Sequence, residues 1–262
     1  MDYDKIQPVL ELYRAVQMEG SLTGIPHIIL RTTGCTHRCW FGEGGWCDSF
    51  TTSIHPEKGK YSINDIHRFI NENCDITHLM ITGGSPTMHP ELVNEIVNIF
   101  KLTHNYQNGS GNGIVTIETE GSHFIETYFP IDLVSISPKF SNSIPKLGIE
   151  KPLGGLVDEK FIKQHNKFRL NKEAIFKMTE YHSNYQIKPV VNPVKQPEIW
   201  KEVIEFCKEQ EIPKNKIWIM PPGDSREEIL RSMGDVITFC TENGYNYSGR
   251  DHILAFGSER YK

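Results

Sequence analysis

Arg31-Thr-Thr-Gly-Cys-Thr-His-Arg-Cys-Trp-Phe-Gly-Glu-Gly-Gly-Trp-Cys-Asp-Ser49 carries three cysteines, Cys35, Cys39 and Cys47, on one short loop. Three thiolates can hold three irons of a cubane [4Fe-4S] cluster and leave the fourth iron open, whereas four would close the cluster for electron transfer. Zinc is the alternative: it wants four ligands, often as two close pairs, and here only His37 offers a fourth. Reactive or merely structural thiols are the third possibility.

The loop follows an apolar run, His27–Arg31, and similar runs recur along the chain. His78–Thr82, Gly113–Thr119, Leu133–Ser137, Gln186–Val191 and Lys216–Met220 have the length and composition of strands buried on both faces. His252–Phe256 is a weaker candidate of the same kind. Helical patterns lie between them. Ser62-Ile-Asn-Asp65 opens one with a capping box. His89–Leu102 begins with Pro90 and Glu91 and sets Leu92, Ile96, Val97 and Phe100 on one face. Lys172–Tyr181, Pro197–Gln210 and Arg226–Glu242 follow, the last closed by Asn243-Gly244. Gln107–Asn112 and Lys139–Val157 read as surface loops.

This alternation predicts an α/β fold with a parallel sheet and crossover helices. Six or seven strands are too few for a closed eight-fold barrel. An open partial (β/α) barrel with about six parallel strands fits better, as one domain spanning residues 1–262. Functional groups should gather where the strands end. Four strand ends besides the cysteine loop carry suitable groups. Met80-Ile-Thr-Gly-Gly-Ser-Pro86 offers glycines that let a ligand approach the backbone. Val115-Thr-Ile-Glu-Thr-Glu-Gly-Ser122 offers Glu118 and Glu120 on one face. Asp132-Leu-Val-Ser-Ile-Ser-Pro-Lys139 offers hydroxyls and a cation, and Lys188-Pro-Val-Val191 offers a second cation.

The chain has 262 residues, a net charge of −5, 38% hydrophobic and 23% charged residues. That balance suits a small-molecule enzyme and not a nucleic-acid binder. No apolar run approaches the roughly 20 residues of a membrane span. The start, Met-Asp-Tyr-Asp-Lys-Ile-Gln-Pro, lacks a basic n-region and an apolar core, so no signal peptide and a reducing cytoplasmic setting are expected. Cys74, Cys207 and Cys240 are scattered and read as packing residues.

The cysteine triad followed by Gly-Gly-x-Pro resembles the radical S-adenosylmethionine superfamily, whose usual Cys-x3-Cys-x2-Cys is here Cys-x3-Cys-x7-Cys. Within it the chain is similar to the 7-carboxy-7-deazaguanine synthase family. That family's Gln-Gly-Glu-Gly segment reads Val16-Gln17-Met18-Glu19-Gly20, followed by Gly24-x-Pro26 and by Arg31. Its Asp-Thr after the third cysteine is Asp48-Ser49. Its Thr-Gly-Gly-Glu-Pro is Thr82-Gly83-Gly84-Ser85-Pro86, and its Glu-Thr-Asn-Gly is Glu118-Thr-Glu-Gly121. Ser-Pro-Lys is intact at Ser137–Lys139, and Lys188–Val191, Met220–Gly223 and His252–Arg260 resemble later family segments. The segment Asn142–Phe168 is the least accounted for.

The resemblance implies conversion of 6-carboxy-5,6,7,8-tetrahydropterin to 7-carboxy-7-deazaguanine with loss of ammonia. S-adenosylmethionine would be cleaved by one electron to methionine and a 5′-deoxyadenosyl radical. Cys35, Cys39 and Cys47 would hold the cluster. Gly84, Ser137, Pro138, Lys139, Lys188, Pro189, Val190 and Val191, with Glu118, would lie around S-adenosylmethionine. Val16, Gln17, Met18, Arg31 and Thr82 would contact the pterin, Arg31 through its carboxylate, and Ser49 would be a Mg2+ ligand. A flavodoxin-like electron donor and a homodimer are implied as well. Ser85 stands where the family has an acid that would pair with the ligand's ammonium group, and Met18 and Glu120 also depart from its pattern. Two other functions remain open. One is an activase that places a glycyl radical on a partner, which would not need the Gln17–Gly20 and Arg31 elements. The other is a non-catalytic metal-binding or redox-sensing protein.

Overall fold

The computed structural model describes residues 2–41, 45–107, 113–182 and 184–257. The expected loop Gln107–Asn112 and the end of the C-terminal His252–Arg260 pattern lie almost wholly or partly outside these residues, as does Lys262. Six strands form one sheet in chain order: β1 (Val9–Val16), β2 (Pro26–Thr32), β3 (His78–Gly83), β4 (Ile114–Thr119), β5 (Leu133–Ile136) and β6 (Tyr185–Ile187). From β2 to β6 every pairing is parallel, whereas β1 runs antiparallel to β2 as an edge. A second parallel pair, β7 (Trp218–Ile219) and β8 (Asn246–Tyr247), continues the curve. Single parallel bridges, Ile187 to Ile217 and Val190 to Met220, join it to the β6 edge. The mostly parallel sheet is thus the open partial barrel expected, with an antiparallel first strand that the sequence did not disclose.

Helices α1 (Ile63–Glu72), α2 (Pro90–Leu102), α3 (Glu159–Phe168), α4 (Lys172–Tyr181), α5 (Pro197–Glu209), α6 (Arg226–Asn243) and α7 (Asp251–Phe256) connect or flank the strands. Ser62 and Asp65 cap α1 reciprocally, each side chain accepting from the other's backbone N–H. Gly244, at φ +65°, ends α6 in the left-handed conformation that glycine adopts without a Cβ penalty. His252–Phe256 is helix α7, not a strand. Its short apolar run carries no periodicity that separates the two, and Asp251 in the first turn favours the helix.

The strands supply the buried layer: Leu30, Leu79, Ile81, Val115, Ile117, Val134, Ile136 and Ile187 are each at most 1% exposed. Helices α1, α2 and α4 to α6 pack Ile66, Val93, Ile175, Val203 and Val236 into the same core. Cys207 and Cys240 are buried in it, as expected, and burial pushes their thiols up to about 12 and about 11. Parallel pairing brings the C-terminal ends of β2 to β6 to one rim. The register sets Arg31 beside Thr82, and Thr119 beside Ile136. No helix among the described residues is long and apolar enough to cross a membrane.

Candidate active site

The cysteine loop leaves β2 and folds back beside the β3 turn. Gly34 N–H donates to Thr52 O at 2.7 Å, and Gly84 N–H donates to Thr32 O at 3.0 Å. The long interval between Cys39 and Cys47 is a small hairpin. Trp40 bridges Trp46, Phe41 N–H donates to Gly45 O at 2.7 Å, and Cys47 N–H donates to Cys39 O at 3.1 Å. Its tip, Gly42-Glu43-Gly44, lies outside the described residues. The eight-residue step therefore returns the Cys47 backbone to that of Cys39.

Burial pushes all three thiols up. Glu120 adds to this at Cys35, Cys47 at Cys39, and Asp48 at Cys47. Bound iron would draw off these protons, since the thiolate and not the thiol is the metal ligand.

The segment 142–168 explains why the hairpin holds its shape. Trp40 N–H donates to Ser143 O at 3.0 Å, and Trp46 meets Phe161 edge-on at 5.9 Å between centroids. His165 on α3 is fully buried; its Nδ1 accepts from Arg38 N–H at 3.0 Å and its Nε2 lies 3.2 Å from Ser143 Oγ. Because Nδ1 accepts, the ring proton sits on Nε2 and can be donated to Ser143. Burial holds the imidazole down to about 3, so it keeps this neutral tautomer at neutral pH. The expected surface loop Lys139–Val157 is in fact partly buried, with Phe140, Ser143 and Val157 inside. Together with α3 it cradles the cysteine hairpin.

Gly84 is required for space. A Cβ there would lie 2.2 Å from Thr52 O and 2.3 Å from Gly34 O, both backbone atoms of the cysteine loop. We expect Gly84→Ala to cost on the order of 3 kcal/mol by overpacking and to lower iron uptake, measured by thermal unfolding and by iron content after reconstitution.

The polar strand ends form connected groups. Lys188, only 2% exposed, donates to Glu118 Oε1 at 2.5 Å and to Glu19 Oε2 at 2.8 Å. Thr82 Oγ1 donates to the other Glu118 oxygen at 3.4 Å. Lys139 Nζ donates to Ser137 O at 2.6 Å and Ser137 Oγ at 2.8 Å. Arg31 donates to Glu11 Oε2 at 3.0 Å and Ser49 Oγ at 3.2 Å, so β1, β2 and the cysteine loop meet there. Gln17 is buried, its Oε1 accepting from Met18 N–H at 2.8 Å.

Other positions sit apart from this network. Val16 ends β1 with an exposed side chain. The Pro189 carbonyl accepts from Met220 N–H, and that of Val190 from Asn142 Nδ2, both at 3.0 Å. The Val191 side chain is fully buried in the core, leaving only its backbone for a ligand. Pro138 lies between Ser137 and Lys139 at the end of β5.

Three residues central to this geometry have no motif in the sequence. Glu11 is the buried partner of Arg31, and His165 holds the cysteine loop. Arg250, 6% exposed, binds Asp48 beside Cys47 and the Gly223 carbonyl, and its Nε lies 3.6 Å from Glu19 Oε1. Glu19 sits between Lys188 and Arg250. Its alignment with a family segment was visible, but not this role.

Burial opposes the Glu19 charge, yet Lys188, His252 and Arg250 outweigh it and hold the carboxyl at about 2, below its ordinary 4.5. A depressed folded-state value contributes stability above the unfolded value and loses it as pH falls toward the folded one. We therefore expect the parent chain to lose Tm more steeply than Glu19→Gln between about pH 4.5 and pH 2, measured by thermal unfolding at fixed ionic strength.

No family model matches the chain. A 7-carboxy-7-deazaguanine synthase of Halobacterium salinarum is 29% identical over 94% of this chain and 89% of that protein. The synthase of Rhodopirellula baltica is 28% identical over 96% and 87%. That of Pyrobaculum aerophilum is 22% identical over 97% and 96%. Among solved structures, QueE from Escherichia coli superposes with a TM-score of 0.56 at 20% identity, covering 92% of each chain. The native anSMEcpe structure with bound AdoMet and a peptide superposes with a TM-score of 0.51 at 14% identity, covering 87% of this chain and 65% of that one. Along nearly its whole length, the chain resembles the 7-carboxy-7-deazaguanine synthases of the radical S-adenosylmethionine superfamily, and it has the fold of QueE.

Proposed function

We propose that this chain converts 6-carboxy-5,6,7,8-tetrahydropterin to 7-carboxy-7-deazaguanine with loss of ammonia, using a [4Fe-4S] cluster and S-adenosylmethionine. The observation that supports this is the cysteine loop that follows β2 and pairs Cys47 with Cys39, in a chain similar to these synthases nearly end to end. Cys35, Cys39 and Cys47 would hold the cluster, which when bound supplies the electron for cleavage of S-adenosylmethionine.

The chain's own residues bind, orient and exclude water. Gly84 lets the β3 turn pack against the cysteine loop and so brings its own backbone beside the ligand. Ser137, Lys139 and the backbone of Pro138 and of Lys188 to Val191 line the neighbouring strand ends for S-adenosylmethionine. Lys188 acts chiefly by fixing Glu118 and Glu19, since both its contacts are carboxylates. On the pterin side stand Val16, Gln17, Met18, Thr82 and Arg31. Arg31 uses one nitrogen on Glu11 and another on Ser49, and its fork can turn toward a substrate carboxylate. Magnesium enters only through Ser49, whose hydroxyl already accepts from Arg31. The residues fit a cation there only once the substrate has drawn the guanidinium away. A flavodoxin-like donor, a homodimer and a cytoplasmic setting complete the proposal.

The test is anaerobic reconstitution with iron and sulfide, reduction, and addition of S-adenosylmethionine and the carboxy-tetrahydropterin. Substrate-dependent 7-carboxy-7-deazaguanine, identified by mass spectrometry, supports the proposal. 5′-Deoxyadenosine without that product would mean a different substrate, and neither compound from a fully loaded, reducible cluster would end the catalytic proposal. Turnover unchanged after exhaustive chelation of magnesium would remove that ion from it.

A further inference from the structure

Glu120 is a buried carboxylate that no lysine or arginine pairs with among the described residues. It follows β4 and is 6% exposed; Ser85 and Ser122 around it are 0% and 2% exposed. Ser85 Oγ donates to Glu120 Oε1 at 2.6 Å, Ser122 Oγ donates to the same oxygen, and Thr119 Oγ1 lies 3.4 Å from Oε2. Among the described residues no lysine or arginine forms an ion pair with it. The one basic side chain near it among the described residues is the His37 imidazole, at 3.7 Å, beyond hydrogen-bond reach. Hydroxyl donors satisfy lone pairs but do not neutralise charge. A buried carboxylate normally has a positive partner, since desolvation without one costs several kcal/mol.

The position of this carboxylate indicates what that partner is. Ligand atoms of Cys35, His37 and Glu120 all lie within 4.8 Å of one another, so Glu120 stands directly beside the first cysteine of the triad. A ligand that reaches the triad with an amino-acid end brings an ammonium group to this carboxylate. We infer that Glu120, held by Ser85, is the anionic partner of the ammonium group of S-adenosylmethionine, an assignment that rests on the function proposed above. Ser85 gives independent support. It stands where the resemblance places an acid, at the end of β3, while Glu120 stands where it places an asparagine, at the end of β4. The two side chains touch, so Glu120 puts a carboxylate beside the position where the resemblance places the acid.

Equilibrium dialysis of S-adenosylmethionine against the reconstituted chain tests this, with iron and sulfide content measured in parallel. Loss of a charge-assisted contact predicts a Kd raised roughly 10- to 100-fold in Glu120→Gln, with iron and sulfide content unchanged. Binding of 5′-methylthioadenosine, which lacks the amino-acid end, should stay within about twofold of the parent. The exchanged variant S85E/E120N should return S-adenosylmethionine binding to within about threefold. Equal binding by parent and Glu120→Gln overturns the assignment alone. Loss of iron in Glu120→Gln overturns it in favour of a metal-ligand role, and equal weakening of both nucleosides in favour of a structural one. A parent chain with a full cluster that does not bind S-adenosylmethionine removes the proposed function and the assignment together.

Discussion

Alanine at Cys39 is expected to leave the reconstituted chain without the proposed cluster. Cys39 is the buried member of the triad, and its backbone carbonyl receives Cys47 N–H where the hairpin closes. An open-iron cluster has three protein ligands and no spare, so losing one removes the cubane rather than loosening it. We expect iron and sulfide to fall to background in Cys39→Ala, and reductive cleavage of S-adenosylmethionine to fall by roughly three orders of magnitude. The hairpin pairing and the Arg38–His165 contact use backbone groups, so the apo fold should persist by circular dichroism. Cys207→Ala and Cys240→Ala are the controls. Both residues lie in the core away from the loop, and each variant should keep its cluster while losing on the order of 1 kcal/mol of stability. A Cys39→Ala chain that retains a reducible cluster would show that another side chain completes the set.

The second large effect is at Lys188. Its ammonium is 3% exposed and lies between two carboxylates, Glu118 on β4 and Glu19 ahead of β2. Burial opposes the charge, but Glu118 and Glu19 outweigh it and hold Lys188 above its ordinary value, so it stays charged across the neutral range. In Lys188→Met the two carboxylates remain buried without this cation. Breaking a buried pair from one side costs about 3–5 kcal/mol, which for a chain of this size lowers Tm on the order of 10 °C. Adding Glu19→Gln and Glu118→Gln to Lys188→Met should recover most of the loss, because uncompensated charge and not missing packing is its source. Differential scanning fluorimetry of the two variants decides the matter: equal destabilisation would mean that the lysine stem supplies the stability.

Much of the fold was legible because apolar runs and caps act locally. The runs at β2 to β7 betray their burial by composition alone, and the Ser62–Asp65 box joins residues three apart. Strand β1 was hidden because Glu11 interrupts the apolar pattern Val9-Leu10-Glu11-Leu12, and its burial makes sense only once Arg31 is seen beside it. Helix α3 was hidden for a similar reason. Glu159–Phe168 has few apolar residues, and its fully buried side chain is a histidine that serves a backbone N–H 127 positions away. Within the site, the cysteines and strand-end motifs were readable as types. The pairing of Arg250 with Asp48 spans 202 positions and leaves no local trace. Glu120 and Ser85 were visible only as two separate departures, and their hydrogen bond appears only in the fold.

The hairpin between Cys39 and Cys47 separates two distances that sequence patterns treat as one. The chain leaves and rejoins at the same rung, so contour length between the ligands can grow or shrink while their spacing in three dimensions stays put. Interval counting is then a poor ruler for such centres. A better signature is closure: two pairing-prone residues, here Trp40 and Trp46, standing just inside the flanking cysteines. Chains whose triads look misspaced on paper can be screened for that signature before they are set aside.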